Sequence, residues 1–196
     1  MQLTLTDVRA DRLSVFAPMP NKKDPTKPAK YLGRLILEPT HPDVAKIRAA
    51  MATVAQEKFG PNYQAVIGAL GADFVCLRDG NRNLDDAGNI RPGYAGNLFV
   101  AASNKDKPTV VDRTVDPATG KAKVLQANEG RPYNGCKVNA LIDIYAMTEP
   151  KGVFCTLRGL QFFADGERLG GTAPASVDEF STFDPAPAAA MDPLAF

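Results

Sequence analysis

The chain has 196 residues, 44% of them hydrophobic, which suffices for one real core and at most a small pair of domains. Net charge is +1, and the three cysteines, Cys76, Cys136 and Cys155, are odd in number and far apart, which argues against a disulfide framework or a zinc cluster and for free thiols in a reducing cytoplasm. No signal-peptide pattern or membrane-length apolar run stands in the sequence, so a soluble cytoplasmic protein with no membrane partner is the expectation.

Taken in chain order, "LTLTDVRADRLSVF" places β-branched and apolar residues in near-alternation and predicts a strand or a bent strand pair. "APMPNKKDPTKPAK" has almost nothing to bury and predicts a loop bearing Lys22, Lys23, Lys27 and Lys30. "YLGRLILEP" predicts a strand ending at Pro39. Thr40-x-x-Asp43 resembles a capping box with Pro42 in the first turn, and Val44, Ile47, Met51, Val54 and Ala55 recur at helical spacing. Gly60-Pro61 ends that amphipathic helix.

Beyond it, "DFVCLRDG" predicts a short strand, "NRNLDDAGNIRPGY" a polar loop and "GNLFVAASN" another strand. "KDKPTVVDR" continues extended, and "DPATGK" turns at Gly120. "CKVNALIDIYAM" alternates cleanly: Cys136, Val138, Ala140, Ile142, Ile144 and Ala146 share one side, Lys137, Asn139, Leu141, Asp143 and Tyr145 the other. "VFCTLRGLQFF" is its hairpin partner across "EPKG". At least five strands and one helix joined by tight turns predict a mainly-β (α+β) fold, an antiparallel barrel or sandwich. The boundaries expected are a binding domain over 1–172 and a tail over 173–196.

The charge is unevenly placed. Residues 178–196 hold Asp178, Glu179, Asp184 and Asp192 and no base, so residues 1–177 carry 23 basic and 18 acidic side chains. The Pro/Ala-rich composition of the terminal stretch cannot bury enough apolar surface to offset its ordering entropy, and a disordered acidic tail is expected.

Catalytic signatures are absent. The single histidine, His41, precedes a helix and reads as a surface residue, and no nucleophile motif accompanies it. "DGNRNLDDAGNI" opens like a calcium loop, but Leu84 stands where the turn needs Gly and Ile90 where the bidentate Glu belongs. "TGKA" lacks both the first Gly and the Ser/Thr of a phosphate loop. Neither an enzyme nor a metal or cofactor site is expected.

What remains is aromatics interleaved with bases, the combination that single-stranded nucleic acid requires: aromatic faces stack on bases at about 1–3 kcal/mol each while Lys and Arg neutralise phosphates. The candidate DNA-binding residues are Tyr31, Arg34, Tyr94, Lys105, Lys107, Tyr133, Lys137, Tyr145 and Arg158. A strand aromatic is more often core than platform, and Phe16, Phe59, Phe74, Phe162 and Phe163 are assigned to the core.

"LRDGN", "GYAGNLFVAASNKDKPTVVDR", "YNGCKVNALIDIYAM", "KGVFCTLRGLQFFADGERLGG" and the closing "DEF", in that order over roughly residues 74–180, resemble a family of tailed-phage single-stranded DNA-binding proteins. The most specific pieces are Lys105, Pro108, Val110, Val111 and Asp112, then Tyr133-x-Gly135-Cys136, then "DGERLGG". The resemblance implies an OB-type antiparallel β-barrel with one inserted helix, sequence-nonspecific binding of single-stranded DNA, and a role in phage replication, recombination and repair in the host cytoplasm. In related proteins an acidic tail ending in an aromatic recruits partner enzymes. That assigns Asp178, Glu179, Asp184, Asp192, Leu194 and Phe196 to contacts with a polymerase or helicase/primase and to competition with DNA for the groove. An edge strand or the tail could also support a homodimer. The alternative is a structural virion or assembly protein with a β-barrel core.

Overall fold

The computed structural model describes residues 1–21 and 24–170. The expected tail, its six named residues, the domain boundary before it, and Lys22 and Lys23 therefore lie outside the described residues. The strands are β1 (Gln2–Met19), β2 (Lys30–Leu37), β3 (Leu77–Asp79), β4 (Leu98–Asn104), β5 (Thr109–Val115), β6 (Ala122–Val124), β7 (Lys137–Thr148) and β8 (Lys151–Ala164). Helices α1 (Pro42–Phe59) and α2 (Tyr63–Gly68) fall between β2 and β3, so a second, short helix joins the expected one.

The described strands form one sheet in the order β3-β4-β2-β1-β7-β8-β5-β6. Two features depart from the expected antiparallel barrel. The β5–β8 pairing is parallel, with Val110 opposite Leu160, because the chain between them is long enough to bring β5 beside β8 in the same direction. The sheet is also not closed: it curls until β4 packs on β8, where an isolated bridge between Val75 and Val153 and a bond from Asn104 Nδ2 to the Leu157 carbonyl at 3.0 Å cross the gap.

The curl comes from β1. Its register slips between Leu5 and Val8 and again between Asp11 and Ser14, and Asp7 and Arg12 adopt left-handed backbone at φ 53° and 48°. An extra residue at each bulge bends the strand and raises its twist, which lets one strand serve both β2 and β7.

The interior is built as the alternation in β7 requires. Val138, Ala140, Ile142 and Ile144 are fully buried against Leu5, Leu35, Val100 and Leu157. Helix α1 closes the end of this core with Val44, Ile47, Ala50, Met51, Val54 and Ala55. His41, not Thr40, caps it, its Nδ1 accepting from the Asp43 amide at 3.2 Å. Asp43 is wholly buried and accepts from the Thr6 amide at 2.9 Å, in the first bulge of β1, and from Lys46 Nζ at 2.6 Å. Burial alone would raise its pKa, but the Lys46 ammonium and the Thr6 amide outweigh that, and it lies below the usual carboxylate value. Of the phenylalanines assigned to the core, Phe162 is buried and Phe16 and Phe59 pack against it, whereas Phe74 and Phe163 are exposed. Phe74 sits on a single 3-10 turn (Ala72–Phe74) outside the sheet, and Phe163 falls on the solvent side of β8.

All three thiols are free and buried, and burial raises their pKa values, to about 12 for Cys76, about 11 for Cys136 and well above the ordinary value for Cys155. Above the unfolded thiol pKa of about 8.5 the unfolded chain gives up protons that the folded chain keeps. Stability contributed by the protonated thiols is thus complete below about 8.5 and falls as pH rises toward the folded values. Urea midpoints should stay level between about pH 7 and 8 and decline above about 8.5, with the thiols closed to a thiol reagent until the chain unfolds. Rapid labelling of the native protein at neutral pH would contradict this arrangement.

Candidate nucleic-acid interface

Where the curled sheet brings β4 toward β8, a cleft of about 350 Å³ opens, edged by Arg12, Lys30, Arg34, Arg78, Tyr145 and Phe154. The one acid on its lining, Asp73, is taken up by Arg78: Nη1 meets Oδ1 at 3.1 Å and Nη2 meets the Asp73 carbonyl at 3.1 Å. The Arg78 Nε donates to the Val75 carbonyl at 2.8 Å, so this side chain is fixed on three sides. Burial lowers its pKa, Asp73 opposes that, and the positive charge of Arg34 lowers it further. Two guanidiniums that repel each other across a cleft form a place where an anion is stabilising.

Arg34 is held by a second, smaller core. On the outer face of β2 and β4, Ile36, Phe99, Tyr94 and Leu169 pack together under the 80–97 loop. Tyr94 is fully buried, meets Phe99 edge-to-face at 5.1 Å, and donates from its hydroxyl to Asp11 Oδ2 at 2.6 Å. Burial, then the Asp11 bond, raises the Tyr94 pKa far above the ordinary phenol value. The Arg34 guanidinium lies over Phe99 at 5.1 Å and over Tyr94 at 5.9 Å, and its Nη1 donates to Asn83 Oδ1 at 2.6 Å. Cation–π contact and a side-chain bond together restrain the cation's plane. Asp11 immediately precedes Arg12, whose left-handed bulge turns an otherwise ordinary strand residue toward the cleft.

The aromatic wall comes from the β7–β8 hairpin. Tyr145 and Phe154 are directly opposed in register, with ring centroids 6.0 Å apart and planes inclined at 38°. Tyr145 is 38% exposed and Phe74, nearby on the other side of Gly152, is 40% exposed. Gly152 is required here: a Cβ would lie 2.6 Å from Phe154 Cζ and from the Phe74 carbonyl.

The chain as a whole has known counterparts. Over residues 1–190 the chain matches the family model described as Enterobacter phage Enc34, ssDNA-binding protein. The chain belongs to this family. Protein p50 of Acyrthosiphon pisum secondary endosymbiont phage 1 is 35% identical to it over 185 residues, 92% of each chain. Among solved structures, the single-stranded DNA-binding protein from bacteriophage Enc34 in complex with ssDNA superposes with a TM-score of 0.66 at 18% identity, covering 86% of this chain and 89% of that one. A C-terminal truncation of the same Enc34 protein gives 0.64 at 17% identity over 86% and 88%. These two matches show a shared OB-type fold, and the family is one of binding proteins rather than enzymes.

Eight of the nine residues singled out from the sequence divide into three groups. Arg34 and Tyr145 meet in the cleft. Tyr31 pairs with Asn104 at the end of the β2–β4 ladder, and Lys105 and Lys107 follow in the exposed β4–β5 connection, with no ion-pair partner among the described residues. Tyr133, Lys137 and Arg158 lie elsewhere. Tyr133 donates its hydroxyl to Asp165 at 2.9 Å beneath Arg168, Lys137 pairs with Asp7 at 3.0 Å, and Arg158 donates to Gln2 at 2.7 Å beside a different hollow. Tyr94 is the correction: a tyrosine with no accessible face cannot serve as a stacking platform, and its place is structural. Arg12, Arg78 and Phe154 were missed. Nothing in the sequence announces a bulge at Arg12, while Phe154 could have been found as the cross-strand partner of Tyr145.

Replacing Tyr94 by Phe leaves Asp11 buried with its hydroxyl partner gone. The expected cost is about 1–3 kcal/mol in urea unfolding. An unchanged midpoint would remove the bond from any structural role.

Proposed function

We propose that this protein binds single-stranded DNA, with little sequence preference, in the cleft between β4 and the β7–β8 hairpin. The observation that carries the reading is the pairing of one solvent-reaching aromatic couple, Tyr145 and Phe154, with four bases, Arg12, Lys30, Arg34 and Arg78, around one cleft. Bases of the strand stack on the rings, which accept any nucleobase because every base has a π-face, and the cations take the phosphates between them. Lys105, Lys107 and Tyr31 extend the contact at the mouth.

On this reading the protein serves phage DNA replication, recombination and repair in the host cytoplasm. The acidic residues 178–196 act as an internal competitor for the basic cleft, tethered at high local concentration, and are freed for a replication polymerase or helicase/primase when DNA binds. Leu194 and the Phe196 ring supply the anchor for that partner. A second copy would pair through an edge strand, and β6, with Val124 57% exposed, is the more open of the two. The virion-assembly reading has no observation in its favour.

Fluorescence anisotropy with a labelled single-stranded oligonucleotide tests the site. Affinity should fall with salt at a log–log slope of about −0.7 for each phosphate neutralised. Tyr145→Ala should weaken binding about tenfold, in the range of one lost stacking contact, while Lys137→Ala, outside the cleft, leaves affinity unchanged. Equal losses for both would move the site off this cleft.

Removing residues 178–196 should tighten DNA binding and abolish capture of the polymerase or helicase. Unchanged affinity together with unchanged capture would leave that segment without a role in either.

A further inference from the structure

The cleft does not end at Arg34. A second hollow of about 400 Å³ shares Arg34, Asp73 and Arg78 with it and continues to Arg82. A third, of about 410 Å³, shares Ile67, Val75, Leu77, Arg78 and Asp79 with the second and ends at Arg48 on α1. The three hollows are thus joined across the outer edge of the sheet at β3, where no further strand pairs among the described residues.

We infer that the bound strand follows this track, leaving the cleft over the β3 edge and running between Arg82 and Arg48 alongside α2. The inference rests on the proposed single-strand binding and adds a path to it. Its walls have the mixed character a nucleotide needs: Ile67 and Leu77 offer apolar surface along both added hollows, and Arg82 and Arg48 stand exposed beside them with no ion-pair partner among the described residues. The acids on the route are accounted for. Asp73 is paired with Arg78, and Asp79 accepts from the Asn81 amide at 2.9 Å and side chain at 3.0 Å, leaving four arginines against two carboxylates. A free sheet edge covered by a basic strip is suited to an anionic chain, since the charges that blunt the edge also hold the phosphates.

The test uses the full chain and oligothymidylates of about 4 and about 16 nucleotides, which bracket the site sizes of single OB folds. The Arg48→Ala/Arg82→Ala double variant is expected to bind the short oligomer as the unaltered protein does. It should bind the long one about tenfold more weakly, with the salt slope on the long oligomer shallower by about 0.7 per arginine removed. Both side chains are exposed, so folding should be untouched, and a unchanged urea midpoint confirms it. No loss on the long oligomer, or an equal loss on both, overturns the track. Tyr145→Ala on the short oligomer reports the cleft by itself: if it binds normally, the cleft reading fails, whatever the double variant does.

Discussion

The hydrogen bond from Tyr94 to Asp11 joins the parts on which the cleft depends. It is short, buried and charge-assisted, at 2.6 Å, and it ties the 80–97 loop to the bend in β1. On one side it fixes the backbone just before Arg12, where the strand takes a left-handed residue at a cost of about 1–3 kcal/mol. On the other it packs Tyr94 against Phe99 and so makes the aromatic bed on which Arg34 lies. Two cations of the cleft are therefore positioned by one buried contact that itself touches no ligand.

That arrangement explains why the cleft can stay basic in the absence of a ligand. Arg34 and Arg78 repel each other; Arg34 is restrained by two rings and the Asn83 carbonyl oxygen and by no carboxylate, whereas Arg78 is held by the Val75 carbonyl and by Asp73. A carboxylate in place of Asn83 would hold Arg34 equally well and cancel its charge. The neutral partner keeps the cation available to a phosphate. The hairpin supplies the complementary half: β7 and β8 turn their polar faces outward, and the register that buries Ile144 on Cys155 also sets Tyr145 against Phe154.

The features legible in the sequence were those with a single buried face. Alternation in β7 placed Ile142 and Ile144 inside and Tyr145 outside, and the helical spacing from Val44 to Ala55 marked the buried side of α1. The family was legible too, because several short blocks from "LRDGN" to "DGERLGG" stand in the family's order. Tyr94 was misplaced because the outer face of β2 and β4 is not solvated. The 80–97 loop folds over it, and a polar sequence gave no sign that one tyrosine would be buried by tertiary packing. Arg12 was missed for a related reason: its direction depends on a bulge, and a one-residue change of register reverses every side chain beyond it. The parallel β5–β8 pair and the open sheet are non-local outcomes that no local pattern carries.

The central claim is that the single strand lies against Tyr145 and Phe154 and not on the opposite face of the sheet. Photocrosslinking a bromodeoxyuridine-substituted single strand to the full chain, followed by peptide mapping by mass spectrometry, locates the bases directly. The account predicts crosslinks within the β7–β8 hairpin around Tyr145 and Phe154, competed away by unlabelled strand. Crosslinks confined to Tyr133, or to the hollow beside Arg158, would contradict it.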